Sequence, residues 1–291
     1  MFIHPNLRDA RPLMVVGGPR CGTRFVANAL NRSPTVLVQG EIPPEAMDRA
    51  VRFLSETTDY FASVPQWAAS WEQSRRALLY AVWASMVKGR PREFPTEIAW
   101  FGHKTPRHDR YWEFYRDFFG EVGPKYVFCM RNFVDHYLSM NSMNQAYTMD
   151  LVASKYRASV ARYAEMKAAL GDDVSLFLLD DLRQGGVDYV RETLFERLGI
   201  AHDERTLSRI DAARRANSTE GAGRPRRKEL TVAERAFLDD NPDLVEALPA
   251  LRAARPLVRT VEGTPAWRRW WSERGGGARR WLGWASTWSR P

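Results

Sequence analysis

The stretch Leu13-Met14-Val15-Val16-Gly17-Gly18-Pro19-Arg20-Cys21-Gly22-Thr23-Arg24-Phe25 restricts the folds open to this chain more than any other. Four apolar residues suited to a buried strand stop at two glycines, and Phe25, Val26, Ala29 and Leu30 then follow at helical spacing. Strand, tight turn and helix N-terminus in that order bring backbone N–H groups and the positive end of a helix dipole to one edge of a sheet. Glycine lets the main chain turn sharply and come close to a ligand. The expected product is a phosphate cradle made of Gly18, Pro19, Arg20, Cys21, Gly22, Thr23 and Arg24.

Residues 35–38, 98–101, 125–130 and 174–179 are further short apolar or β-branched runs. Helical patterns separate them over 23–32, 44–90, 111–119, 133 onward, 151–170 and 187–198, the last closed by Gly199 as a C-cap. The alternation predicts an α/β fold that is P-loop-like: three layers, α/β/α, around a central parallel sheet of about five strands, with a helical insertion at 44–90 and a C-terminal tail. At 291 residues and 44% hydrophobic content, the chain supports one principal domain over 1–262 and a tail over 263–291. Ligands of such sheets bind beyond the carboxyl ends of the strands. Polar groups gather there: Gly40-Glu41 after the second run, Gly102-His103-Lys104-Thr105-Pro106 after the third, and Arg131-Asn132-Phe133-Val134-Asp135 after the fourth. Ser139 follows Arg131 by eight residues across a strand-to-helix junction, so a guanidinium and a hydroxyl can share one anion.

The spacing Gly17 to Gly22 is that of a P-loop, but a nucleotide-hydrolysing loop continues with Lys and then Ser or Thr to hold Mg²⁺. Thr23 and Arg24 stand there instead, and the cation has moved inside the loop to Arg20, which argues against a nucleotide-dependent kinase and for an anion held without metal. The net charge of +8, carried mostly by arginine, suits phosphate or sulfate partners. No zinc-like spacing, basic-aromatic RNA motif or helix-turn-helix pattern accompanies it, so nucleic acid is not the expected partner. The two cysteines, Cys21 and Cys129, follow apolar runs, and neither a leader-like N-terminus nor an apolar stretch of membrane-spanning length is visible, which points to the cytoplasm. A helix N-terminus lowers a thiol pKa. A cysteine phosphatase would nevertheless need its arginine six residues on, where Ala27 stands, so Cys21 is expected to act only as a weak donor in the cradle.

Taken together, these residues resemble the sulfotransferase family. Pro19-Arg20-Cys21-Gly22-Thr23 is similar to its Pro-Lys/Arg-Ser-Gly-Thr loop, and Arg131-Asn132-Phe133-Val134-Asp135 with Ser139 to its Arg-Asn-Pro-x-Asp motif with a later Ser. Leu179-Asp180-Asp181-Leu182, Phe195-Glu196-Arg197-Leu198-Gly199-Ile200 and the basic run Arg224-Pro225-Arg226-Arg227-Lys228 are weaker echoes, and the resemblance covers residues 12–230. Cys21, Arg24, Phe133 and Leu179 depart from the family's Ser, Thr, Pro and Tyr. The resemblance implies 3′-phosphoadenosine 5′-phosphosulfate (PAPS) as co-substrate, adenosine 3′,5′-bisphosphate (PAP) as product and no metal. The sulfuryl group would pass to a hydroxyl of a glycan, lipid, metabolite or peptide tyrosine. Arg131 and Ser139, with Arg226, Arg227 and Lys228 of the late basic loop, would hold the 3′-phosphate. Glu41 matches the carboxylate base of one branch, whereas Pro106 stands where the other branch carries histidine. Lys104 and Arg20 are the implied cations on the bridging and terminal oxygens, and His103 is a reserve base.

The tail carries Trp267, Trp270, Trp271, Trp281, Trp284 and Trp288 interleaved with arginines, a pattern that suits an anionic membrane surface, a protein groove or packing on the domain itself. A non-catalytic membrane- or glycan-binding protein is the reading from another class.

Overall fold

Five strands are buried on both faces almost residue for residue: β1 (Arg11–Gly17), β2 (Val36–Gln39), β3 (Trp100–Lys104), β4 (Lys125–Met130) and β5 (Val174–Leu178). Double burial explains why the sequence shows unbroken apolar runs rather than alternation, since a parallel sheet takes helices on both sides. All four pairings are parallel, and the strand order is β2-β3-β1-β4-β5. The computed structural model describes residues 7, 9–87, 93, 95–216 and 227–253.

The helices are α1 (Thr23–Leu30), α2 (Pro44–Ala62), α3 (Pro65–Ser85), α4 (Trp112–Phe119), α5 (Phe133–Met143), α6 (Met149–Leu170), α7 (Leu182–Val190), α8 (Glu204–Ala216), α9 (Val232–Asp239) and α10 (Asp243–Ala253). On one face of the sheet Leu13, Val15, Val38, Val127, Cys129 and Phe177 form a continuous core with residues of α1, α7 and α8, including Val26, Leu30, Leu182, Leu207 and Ile210. On the other face aromatic contacts dominate. Tyr80 of α3 meets Phe101 at 5.1 Å between ring centroids, and Tyr163 of α6 meets Phe128 at 5.4 Å. The result is the expected three-layer α/β/α arrangement.

Several boundaries differ from the sequence expectation, each for a local reason. The third strand lies later than residues 98–101: Gly102 pairs with Leu13 and Lys104 with Val15, so His103 and Lys104 belong to the strand rather than to the loop beyond it. The segment 44–90 contains two helices, each opened by a proline in its first turn, where the missing N–H is no loss. They pack through stacked Phe61 and Trp71 at 5.0 Å. The helix expected at 187–198 begins earlier, bends at Gly186 (φ 53°) and becomes a π-helical turn over Arg191–Glu196 before left-handed Gly199 (φ 65°) ends it. Helix α8 runs to Ala216, and residues 217–226 lie outside the described residues.

The chain divides into units Met1–Arg235 and Ala236–Pro291, the second containing α10 among its described residues. The expected boundary at 262/263 and the Trp/Arg-rich tail lie outside the described residues.

From β1 the chain crosses to β2 on one side of the sheet, and from β4 it goes to β5 on the other, although β1 and β4 are neighbours. Their diverging loops open the crevice that binds ligands in open parallel sheets. Gly17 stands at this point with φ 110°, and a Cβ there would lie 2.3 Å from the Cys129 carbonyl oxygen. Gly17→Ala should therefore lower the unfolding free energy by about 2 kcal/mol or more in urea titration with an unchanged slope. Gly171→Ala, at φ 55° with nothing near the added carbon, should cost only about 1 kcal/mol. Equal midpoints for the two variants would remove this role from Gly17.

Candidate active site

The loop after β1 is shaped by its backbone. Gly18 N–H donates to the Cys129 carbonyl at 3.3 Å, Arg20 takes a left-handed conformation (φ 66°), and Gly22 (φ 92°) caps α1 without a side-chain hydrogen bond. The first N–H groups of a helix have no intrahelical acceptor, so they point out at the loop with the positive end of the dipole behind them. Arg20 is exposed, and its Nε donates to Ser139 Oγ at 3.2 Å. Arg24 is exposed on the first turn of α1, and Thr23 is buried.

Beside the loop, Lys104 at the end of β3 donates to Glu41 Oε1. The lysine side chain is 11% exposed and the carboxylate 44%, so the pair runs from the sheet edge outward. Thr105 holds Glu41's segment in place: its Oγ1 accepts the Ile42 N–H at 3.1 Å and lies 3.1 Å from His103 Nδ1.

The corner after β4 is built around a cation. Arg131 is buried, and its Nη2 donates to Asp135 Oδ2 at 2.6 Å, while its Nε is buried without a hydrogen-bond partner. Asn132 caps α5 by accepting the Asp135 N–H at 2.8 Å. Asp180, just past β5, accepts the Asn132 N–H at 2.7 Å and also its side-chain amide. Burial pushes the Asp135 carboxyl up, but Arg131 and Asn132 outweigh it and hold it below its ordinary value. Ser139 thus shares a hydrogen bond with Arg20 and lies on the helix that Arg131 introduces. Of the late basic run, Arg227 binds Glu234, Lys228 is exposed, and Arg226 lies outside the described residues.

His103 does not face this site. It is fully buried among Trp83 at 4.9 Å, His108 at 5.1 Å and Tyr115 at 6.2 Å, and burial, aided by Lys104, pulls its pKa down to about 3. Successive strand residues point to opposite faces, so the strand that presents Lys104 turns His103 into the aromatic layer. Cys21 is buried with Sγ 3.6 Å from His136 Nδ1, and burial, only partly countered by Arg131, pushes its thiol up to about 12. The helix-terminus effect that lowers a thiol pKa is overridden by desolvation, and Cys21 remains protonated.

Sequence reasoning missed Thr105, His136, Arg107 and Asp180's structural role. Arg107 is left-handed (φ 67°), and its N–H donates to the Gly17 carbonyl at 3.0 Å, tying the segment after β3 to the base of the loop. Lys155 stands over the Tyr147 ring at 4.8 Å, with its pKa lowered to about 8 by burial and then by Arg107. The carboxyl-edge rule applied to β5 would have found Asp180; Arg107 and Lys155 carry no local signal. Among the described residues no three His, Cys, Asp or Glu side chains gather as metal ligands, and no helix is long and apolar enough to cross a membrane.

A family model for the sulfotransferase family matches residues 12–178, more than half of the chain. No curated protein sequence matches. Among solved structures, the chain is similar to the sulfotransferase STF9 from Mycobacterium avium at 15% identity, covering 81% of this chain and 79% of that one with a TM-score of 0.45. It is similar to the sulfotransferase domain of the Synechococcus PCC 7002 olefin synthase at 15% identity, covering 82% and 97% with a TM-score of 0.42. It also resembles mouse sulfotransferase SULT7A1, solved with PAP, at 13% identity, covering 87% and 89% with a TM-score of 0.44. With the matched segment running from Pro12 in β1 to the last residue of β5, and with the loop after β1, Glu41, Lys104 and Arg131 on the carboxyl edge of that sheet, the chain belongs to the sulfotransferase family and is an enzyme of sulfuryl transfer.

Proposed function

We propose that the chain transfers the sulfuryl group of PAPS to an acceptor hydroxyl, with Glu41 as general base. The observation that carries this reading is the Lys104–Glu41 pair beside the loop where Arg20 meets Ser139. A carboxylate, an ammonium and a guanidinium then flank one place at the sheet edge. The loop of residues 18–24 would take the 5′-phosphosulfate through backbone N–H groups and Arg20. Arg131 and Ser139, with Arg227 and Lys228, would take the 3′-phosphate.

In the reaction, the acceptor oxygen forms a bond to sulfur as the bond from sulfur to the 5′-phosphate oxygen breaks. The acceptor proton goes to a Glu41 carboxylate oxygen, and the bonding electron pair leaves with the phosphate of PAP. Arg20 and Lys104 supply positive charge where it develops on the bridging and terminal oxygens. No step needs a metal. His103 is set aside as base by its burial in the aromatic layer. The acceptor is a hydroxyl compound, with glycan, lipid, metabolite and peptide tyrosine all compatible.

The segment 263–291 is proposed to add a contact with anionic membrane, which suits a cytoplasmic enzyme peripheral to the bilayer. Co-sedimentation with liposomes should require anionic lipid and weaken with salt. Equal binding to neutral vesicles, or none to either, would overturn that contact.

Glu41→Gln keeps the shape and removes the proton acceptor, so turnover should fall on the order of 10²- to 10⁴-fold while PAP affinity hardly changes. Slow PAPS hydrolysis serves as the assay until an acceptor is in hand. If Glu41→Gln keeps turnover and His103→Ala abolishes it, the base is assigned wrongly. For the donor, Arg131→Ala should weaken PAPS binding by about 1.5–3 kcal/mol through loss of a charge-assisted contact. Adenosine 5′-phosphosulfate, lacking the 3′-phosphate, should be insensitive to the change. Equal losses for both would sink the 3′-phosphate assignment, and calorimetric preference for ATP with Mg²⁺ over PAP would sink the donor.

A further inference from the structure

Glu234, in the first turn of α9, lies against α5, the helix that carries Ser139. Both carboxylate oxygens accept from Arg227 Nη2, at 2.7 and 2.6 Å, and Oε1 also accepts the Tyr137 hydroxyl. Thr231 completes the fixation: its N–H donates to Glu234 Oε2 at 2.8 Å, and its Oγ1 accepts the Glu234 N–H at 3.3 Å, a reciprocal cap at the start of α9. The Arg227 guanidinium stands 5.4 Å from the centre of the Tyr137 ring, which stacks on Phe133 at 6.4 Å. Arg227 is therefore held from two sides, by a carboxylate and by an aromatic face on α5.

The arrangement repeats that of Arg131. In each case one carboxylate takes Nη2, and in each case Nε is buried without a hydrogen-bond partner. A buried donor without an acceptor is costly, and two of them, one just before α5 and one held against its Tyr137, are each suited to an acceptor oxygen. The carboxylates fix both guanidinium groups, which lowers the entropy lost when an anion binds them. Burial raises Glu234, but Arg227 and Tyr137 outweigh it and bring its pKa to about 2, so the carboxylate stays charged at working pH.

We propose that Glu234 and Tyr137 are positioning residues for donor binding, holding Arg227 against α5 so that its guanidinium meets the 3′-phosphate. The inference rests on PAPS as donor. Neither residue touches the reacting atoms.

Glu234→Gln keeps the shape of the side chain and removes its charge. Calorimetric titration with PAP should show about 5- to 20-fold weaker binding, while adenosine 5′-monophosphate, lacking the 3′-phosphate, should change less than about 2-fold. Tyr137→Phe should weaken PAP in the same direction by about 2- to 3-fold. In an Arg227→Ala background, Glu234→Gln should add nothing, because both act through one guanidinium. Thermal unfolding checks that each variant is folded. Should Glu234→Gln fail to fold, Glu234→Asp keeps the charge on a shorter arm and should show the same selective loss, smaller in size. Unchanged or tighter PAP binding, equal losses for both nucleotides, or additive losses in the double variant would overturn the clasp. Failure of the unaltered protein to bind PAP would overturn the donor itself, whereas binding unaffected by Glu234→Gln overturns the clasp alone.

Discussion

The site depends on the contact between the backbones of Gly17 and Cys129. They pair in register where β1 and β4 end, and the Gly18 N–H donates to the same Cys129 carbonyl that a Cβ at Gly17 would strike. Because the strands are in contact up to their last residues and then part, the loop after β1 and the Arg131 corner leave from opposite walls of one crevice. The hydrogen bond from Arg20 to Ser139 spans it at 3.2 Å. Without that close approach, two individually ordinary strand-to-helix turns would not face each other across one crevice. Arg107 reinforces the base by donating its N–H to the Gly17 carbonyl.

Positive charge is the second organising quantity. At the sheet edge each buried cation has one carboxylate, and that carboxylate is the more exposed partner: Lys104 is 11% exposed and Glu41 44%, Arg131 6% and Asp135 34%. Burying a cation is costly, and one half-solvated carboxylate offsets only part of it. Arg20, Arg107 and Lys155 add charge around the same loop, and Lys155, whose pKa falls to about 8 through burial first, is lowered further by repulsion from Arg107. The edge therefore gathers several positive charges within one short stretch of the sheet. Three buried histidines add nothing to the field: burial holds His103, His108 and His136 at about 3, 2 and 3, so they stay neutral.

Much of this was legible in the chain because it is local. Apolar runs in doubly buried strands, glycines at a tight turn and a cation just past a strand are short-range signals, and the fourth strand and the helix starting at Phe133 fall where the pattern places them. The third strand was shifted because pairing with β1, not residue type, decides that His103 and Lys104 stay in the sheet. That same pairing turns His103 inward, a fact no local pattern carries. Cys21 shows the opposite failure of a local rule, with desolvation stronger than the helix terminus. Asp180, Thr105 and Glu234 act on partners 48, 63 and 97 residues away, so their roles exist only in the folded chain.

The Lys104–Glu41 pair links the two halves of the proposed reaction. An ammonium group has three donors and no acceptor, so Lys104 can serve the Glu41 carboxylate and a donor oxygen from one position. If Glu41 takes the acceptor proton as proposed, it would lose the charge that holds the lysine, while the leaving phosphate would gain charge. The ammonium would then be drawn from the carboxylate toward the phosphate as the sulfur changes partners, with no new charge brought in from solvent. Positioning this lysine at the end of a central strand, with Thr105 fixing the segment that bears Glu41, keeps that transfer short. Preorganised charge that needs little rearrangement is the largest contribution a protein makes to such group transfers, and here the sheet edge holds it in place.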